Sequence, residues 1–398
     1  MLVIFATHPI QYQVPLWKKM TDAGINLEVW YFTDFGTKKS YDVQFDKSFS
    51  WDLPMLEGYK YRFLEVNAGA VPNKGFKSIF IRENIKKKLR ECKATHVYIN
   101  GWQVFAYWQA LWAAKSIGLI TIFKGESNDL KPESKWKWPI KKLLLANFFK
   151  KIDHFLYIGE ANKRLYKKYK IKDEKLLPGL YCIDNDRFKE QAGKLYSHKY
   201  TLRKQWGIPS NSFCILFSGK FIEKKRPLDI IYAAKQLSAN KLNIHLLYVG
   251  DGVLYPEIKK EANIIFDKEL GLVNSCKENE LNISITGFLN QTEIPKAYAV
   301  ADCLVLPSNF GETWGLVVNE AMASGCQVII SNSCGSAEDI GLKLGNKHVY
   351  HTGEIDQLYQ SILHSMSNKK SSQELYKIIS QYSYDSTISA VKKIMTCR

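Results

Sequence analysis

An α/β protein of two doubly wound domains is what this sequence predicts, and three observations carry that expectation. Short apolar runs such as LVIFA, HVYI, FCILFS and CLVL recur along the chain, with the length and composition of strands buried in parallel sheets. Between them lie helical patterns entered through turns with Gly or Pro, which is the βαβ alternation of an open sheet. The length, 398 residues, exceeds one ordinary domain.

Composition sets outer bounds. Hydrophobic residues make up 46% of the chain, enough for a sizeable core, and the formal net charge is +17. Such an excess attracts anionic partners: nucleic acid, acidic lipid or a phosphorylated substrate. The cysteines, at positions 92, 182, 214, 276, 303, 326, 334 and 397, have no CxxC or Cys/His metal spacing and read as thiols of a reducing cytosol. The first residues enter a strand directly, without the pattern of a secretion signal. No stretch reaches the about 18–20 apolar residues that span a bilayer. A cytoplasmic location follows, with peripheral attachment to the inner face of the membrane as an addition that the basic segments below would serve.

In chain order, the strand at 2–6 runs into Thr7-His8-Pro9-Ile10-Gln11-Tyr12, then a helix at 14–23 and a strand at 27–32. Residues 34–51 are polar and aromatic, a loop of lid type. Residues 74–93 have a helical pattern with Ile79, Phe80, Ile85 and Leu89 as the apolar stripe and a face of lysines and arginines. After a strand at 96–99 and a helix at 105–116, the strand at 119–123 delivers Lys124-Gly125-Glu126 to its carboxyl end, the side where open sheets bind ligands. Residues 135–152, with Trp136 and Trp138, form a second basic amphipathic segment. Both basic segments read first as packed helices with a solvated basic face, and contact with an anionic membrane surface is the sharper alternative. Asp184-Asn185-Asp186 has the spacing of a metal-holding carboxylate pair, but its setting reads as a linker turn.

The second domain begins near residue 194. Its first strand, 213–218, leads to Gly219, which frees the backbone for close approach, and to Lys220 and Lys225, before a helix at 228–237. The strand 246–252 ends in Gly250 and Gly252, and the strand 283–286 ends at Gly287-Phe288. Residues 307–339 then form a βαβ unit with Glu312 ahead of a helix at 314–324 and Glu320 inside it. A helix start offers free N–H groups to phosphate, with Thr313, Trp314 and Gly315 as the cradle. The two carboxylates would repel phosphate, so they suit sugar hydroxyls instead. Residues 354–395 are helical.

The stretch ETWGLVVNEAMASG, with Glu312 and Glu320 eight residues apart, resembles the family-4 retaining glycosyltransferases of the GT-B superfamily. HPIQY after the first strand and KGES at 124–127 resemble members that act on surface polysaccharides. The resemblance spans nearly the whole chain and is densest from 213 to 339. It implies two Rossmann-like domains facing across a cleft: 1–188 for the acceptor, with a C-terminal helix of about 374–398 packing back on it, and 194–372 for a nucleotide sugar. It implies sugar transfer with retention from a UDP-linked donor to a glycan or lipid-linked acceptor, as a hexosyl- or N-acetylhexosaminyl-transferase. Gly219, Lys220, Lys225, Gly250, Phe288, Thr313, Trp314, Gly315, Leu316 and Glu320 become donor-binding positions. Glu312, Glu126 and His8 become the catalytic set, and neither a metal nor a cofactor is required. Lys220 departs from the family's usual Arg, keeping the charge but losing the bidentate fork. A nucleotide-sugar epimerase of the same fold is the alternative. A nucleic-acid binder has only net charge in its favour, so nucleic acid is not expected as a partner.

Overall fold

The opening run, Leu2–Ala6 (β1), is buried along its whole length, as an all-apolar strand must be when helices cover both faces of its sheet. The computed structural model describes residues 1–37, 40–42, 47–72, 74–132, 138–277 and 280–396. Val14–Asp22 (α1) returns the chain to Leu27–Tyr31 (β2), parallel to β1 with Leu2 opposite Leu27. Ser40–Asp42 (β3) and Lys47–Phe49 (β4) form a separate ribbon. Tyr61–Phe63 (β5), Ile85–Glu91 (α2), His96–Ile99 (β6), Phe105–Ser116 (α3), Ile120–Phe123 (β7), Trp138–Lys150 (α4), His154–Tyr157 (β8), Glu160–Lys168 (α5) and Leu176–Pro178 (β9) follow. The sheet order is β5-β2-β1-β6-β7-β8-β9, all parallel. The order reverses between β1 and β6, so the crevice of this sheet opens at their carboxyl ends.

The second sheet repeats the logic. Asn185–Tyr196 (α6) and Lys199–Gln205 (α7) precede Phe213–Ser218 (β10), Pro227–Ala239 (α8), Ile244–Val249 (β11), Tyr255–Lys260 (α9), Asn263–Asp267 (β12), Gly271–Leu272 (β13) and Asn282–Gly287 (β14). Then come Ile294–Val300 (α10), Cys303–Leu306 (β15), Val317–Ala323 (α11), Gln327–Ser331 (β16), Leu342–Leu344 (α12), Val349–Tyr350 (β17), Ile355–Ser367 (α13), Ser372–Ile379 (α14) and Tyr384–Thr396 (α15). The order is β13-β12-β14-β11-β10-β15-β16-β17, parallel except for β13. Here the reversal falls between β10 and β15.

The chain divides into unit 1, Met1–Tyr41, Ser48–Ile183 and Ser383–Arg398, and unit 2, Asp184–Tyr382 with Asp42–Lys47. Thus α6 lies in unit 2, ahead of the expected start near 194. Of the stretch 374–398, only the part from Ser383 lies in unit 1; α14 packs on α11 in unit 2. Within unit 1, α15 buries Val391 and Ile394, and Ser386 Oγ accepts from the Leu180 N–H at 3.1 Å.

Several helices differ from expectation. The pattern at 74–93 is helical only in α2, beyond a short turn at Phe76–Ser78. Asn84 caps α2 by accepting from the Lys87 N–H, while Ile81 pairs with Val66 as a β-bridge, so its apolar side chain is spent on an extended segment. The helix expected at 314–324 begins at Val317, because Gly315 takes a left-handed turn (φ +95°). The loop at 34–51 contains the β3–β4 ribbon, and its residues 38–39 and 43–46 lie outside the described residues, as do Trp136 and the side chain of Trp138.

Unit 2 is tied together behind β10 by Arg203, which is 4% exposed. Its guanidinium donates to the carbonyls of Val300, Pro209, Ser210 and Ser212 and to Asp302 Oδ2 at 2.7 Å. Burial pushes the Asp302 carboxyl up, but Lys199, the Cys214 N–H and Arg203 outweigh it and hold it below the ordinary range. The Arg203→Met variant is expected to lose about 3–5 kcal/mol in urea unfolding, because it removes the buried cation shared by Asp302 and the Val300 and Ser212 carbonyls. Asp302's contribution is complete above the ordinary Asp range and disappears as pH falls through its depressed value, so the loss should be seen at neutral pH and shrink in strong acid.

Candidate functional site

The switch point of the second sheet is built from backbone. Gly219, Gly250 and Gly287 end three neighbouring strands, β10, β11 and β14. The Gly219 N–H donates to Val249 O, the Gly250 N–H to Gly287 O, both at 2.9 Å, and the Phe221 N–H to Asp251 O at 2.8 Å. Gly250 has φ +139°, and a Cβ there would stand 1.9 Å from the Gly219 carbonyl oxygen. Only glycine permits both the turn and the approach.

The loop from β15 to α11 is braced from two sides. The Asn309 N–H donates to Lys224 O at 3.0 Å, tying it to the loop after β10. Ser331 Oγ donates to Ser308 O from the end of β16. The Gly335 N–H donates to Glu312 O at 3.3 Å, and Ser336 reaches Trp314 O through both its N–H and its hydroxyl. A Cβ on Gly335 would lie 1.9 Å from Thr313 O, so this bracing also needs glycine.

These loops bring Lys225 and Glu312 into an ion pair, with both side chains mostly buried. Burial pushes the Glu312 carboxyl up, but the Lys225 charge and hydrogen bond, Lys224 and Ser308 outweigh it and hold the carboxyl below the ordinary range. Glu320, in α11, has different company. It accepts from Tyr298 Oη at 2.6 Å, and burial raises its pKa despite Tyr298, Arg187 and Gln291. Arg187 donates to Gln291 O at 2.9 Å and Oε1 at 2.6 Å. Sequence reading missed Tyr298, Gln291, Lys224 and Ser308 as neighbours of the site. Arg187, which directly follows the Asp184-Asn185-Asp186 run, was missed as well.

Of the other expected positions, the Trp314 ring is core, donating Nε1 to Asn319 Oδ1 at 2.8 Å, so only its backbone is available. Thr313, Gly315 and Leu316 precede α11. Among the described residues, the N–H groups of Gly315, Leu316 and Val317 have no protein acceptor. Lys220 and Phe288, both half-buried, follow β10 and β14. The Asp184-Asn185-Asp186 run is structural: Asp184 caps α6, Asn185 donates to Tyr382 O at 2.9 Å, and Asp186 accepts from Tyr376 at 2.7 Å. Among the described residues no group of three or more His, Cys, Asp or Glu side chains is placed to hold a metal ion.

Unit 1 carries its own polar cluster at the carboxyl ends of its strands. Glu126 Oε1 accepts from Tyr12 at 3.0 Å and Tyr181 at 2.6 Å, and those two rings meet edge to face. Lys124, buried nearby, has its ammonium 5.9 Å from the Tyr181 ring centroid, and burial lowers its pKa. His8 shares a hydrogen bond with Thr7 Oγ1 at 3.0 Å, and burial lowers it to about 4, so it is neutral at pH 7.

Residues 198–385 match the family model of glycosyl transferases group 1. The chain is 26% identical over 188 residues to the lipopolysaccharide 1,2-N-acetylglucosaminetransferase of Salmonella typhimurium, covering 46% of this chain and 48% of that one. It is 28% identical over 149 residues to the D-inositol 3-phosphate glycosyltransferase of an Arthrobacter strain, covering 35% and 31%. These alignments span half or less of the curated relatives. A glycosyltransferase from Rickettsia africae matches with a TM-score of 0.68 at 16% identity, over 99% of this chain and 97% of that one. Anabaena HepE in complex with UDP and glucose matches with a TM-score of 0.65 at 16% identity, over 100% and 99%. The fold is GT-B.

The opposed environments of the two glutamates give a pH test. A carboxyl whose folded pKa is raised weakens the fold as pH climbs from its ordinary value through the raised one, and that cost persists above it. Glu320→Gln is therefore expected to unfold at a higher temperature than the parent at pH 8, with the gap closing toward pH 4, read by calorimetry.

Proposed function

We propose that the chain is a retaining glycosyltransferase that moves a hexosyl or N-acetylhexosaminyl group from a UDP-linked sugar to a glycan or lipid-linked acceptor in surface-polysaccharide synthesis. The observation that carries this reading is the Lys225–Glu312 pair at the switch point of unit 2, flanked by the glycine-lined strand ends. Matching of this half to the group 1 model supports it, and the UDP and glucose of HepE support the donor class.

The chemistry needs charge compensation in two places. As the bond from the anomeric carbon to the diphosphate breaks, negative charge grows on the leaving group. Lys225 and Lys220, with the N–H groups of residues 315–317, meet it. The arriving diphosphate takes over Lys225, and Glu312 turns its acceptor oxygens to sugar hydroxyls beside the oxocarbenium-like ring. Glu320, drawn toward its neutral form by burial, hydrogen-bonds the ribose. The acceptor oxygen attacks from the face the diphosphate leaves, and its proton passes to the departing phosphate oxygen. No protein nucleophile and no metal enters these steps. Glu126 and neutral His8 then bind acceptor hydroxyls, with Glu126 a binder and not a base. The work is done in the cytoplasm, at the inner face of the membrane.

A thermal-shift screen of UDP-, GDP- and ADP-sugars tests the donor. A UDP-sugar at a hundredfold excess over its Kd is expected to stabilise the parent by about 2.7 kcal/mol, and Lys225→Ala to lose most of that. Glu312→Ala should retain UDP binding and lose about 100-fold or more in kcat. Equal stabilisation of the parent and Lys225→Ala, or of neither, would sink the assignment.

A further inference from the structure

Among the described residues, four other than glycine have a left-handed backbone: Lys93, Lys170, Lys241 and Arg226. The first three stand just past the ends of α2, α5 and α8, where such a residue is a common helix cap. Arg226 is placed differently. It lies between the single turn Glu223–Lys225 and the start of α8, at φ +49°, and Pro227 follows it directly. A side chain disfavours this region, and a following proline pushes its neighbour toward extended backbone. Glycine would make the same turn with less strain. A residue kept in such a conformation is held there by its surroundings, and held strain marks places where geometry is used.

What holds it is a clamp. The Arg226 guanidinium donates to both oxygens of Asp229, from Nε at 2.7 Å and from Nη2 at 3.0 Å, a fork that fixes direction as well as distance. Asp229 is buried in the first turn of α8, and its N–H donates back to Arg226 O at 3.2 Å. Gly353, itself at φ +87°, approaches the guanidinium so closely that a Cβ there would lie 3.2 Å from Nη2. The turn parts three consecutive side chains. Lys224 lies along Gly311, where a Cβ would stand 2.5 Å from its Cε, and its carbonyl accepts from the Asn309 N–H at 3.0 Å. Lys225 pairs with Glu312, and Arg226 is spent on Asp229. The Lys225 and Arg226 N–H groups close the turn onto Ile222 O at 2.9 Å and Glu223 O at 3.1 Å, so the backbone at 226 governs where residue 225 points.

We infer that Arg226 is a positioning residue for Lys225: its clamp on Asp229 holds a left-handed turn that keeps the Lys225 ammonium at the switch point of unit 2. The inference rests on Lys225 meeting the donor diphosphate, as proposed above. The guanidinium does not touch the donor. It is the means by which a strained backbone is kept, and the strained backbone is the means by which the neighbouring lysine is aimed.

The test compares Arg226→Ala with Arg226→Gly in the full chain. Both lose the clamp, but only glycine keeps the left-handed turn at little cost. The first readout needs no ligand: the rate at which N-hydroxysuccinimide acetate acetylates the Lys225 amine, followed by peptide mass spectrometry. Arg226→Ala is expected to raise that rate about tenfold, and Arg226→Gly by less than about threefold. The second readout is the Kd for UDP by calorimetry, expected to weaken about tenfold in Arg226→Ala and less than about threefold in Arg226→Gly. A merely structural role would lower the melting temperature of both variants and leave both readouts at the parent's values. Asp229→Asn keeps the shape of the pair and removes its charge; it should move both readouts in the same direction as Arg226→Ala, and it replaces that variant in the comparison should Arg226→Ala not fold. The inference is overturned if Arg226→Ala leaves Lys225 as protected as in the parent, or if Arg226→Gly matches Arg226→Ala in either readout. A parent that binds no UDP counts against the donor assignment, and the acetylation rates then decide the inference alone.

Discussion

The carbonyl oxygen of Gly219 occupies the space where residue 250 would carry a side chain, and the working face of unit 2 follows from that contact. Strand ends of a parallel sheet normally diverge as side chains fill the gaps between their loops. Here the loops after β10, β11 and β14 hydrogen-bond main chain to main chain. The loop after β15 is clamped in the same manner by Gly335. The switch point also carries charge, in the mostly buried pair of Lys225 and Glu312. A parallel sheet offers its carboxyl ends to ligands, and the glycines decide that the offer is a close one.

The two glutamates of the signature stretch are a pair only in sequence. Glu312 sits in a loop and is kept ionised by Lys225, so a ligand that claims the lysine changes what the carboxylate can do. Glu320 sits in a helix beside Tyr298, with burial working against its charge. The two carboxylates therefore lean in opposite directions, Glu312 toward its ionised form and Glu320 toward its neutral one.

All-apolar strands were the most legible part of the chain; His96–Ile99 and Phe213–Ser218 stand where their residues put them. The spacing of Glu312 and Glu320 was legible too, since it is local. Their partners were not, because Lys225 is 87 residues from Glu312 and Tyr298 lies on another helix. The stretch at 74–93 misled for a definite reason. Of the expected stripe, Ile79, Ile85 and Leu89 sink into the core while Phe80 is half-buried, and a capping Asn splits the run between an extended segment and a helix.

Unit 1 is not continuous along the chain. Its sheet and first helices come from residues before 184, while α15 is separated from them by the whole of unit 2. Ser386 meets the Leu180 N–H across 206 residues, and Tyr384 meets the Tyr12 carbonyl across 372. During synthesis, all of unit 2 therefore leaves the ribosome before unit 1 can be finished. The amino-terminal half waits with an uncovered flank, and a ribosome stalled after residue 382 would release a chain whose first domain, not its last, is the unfinished one.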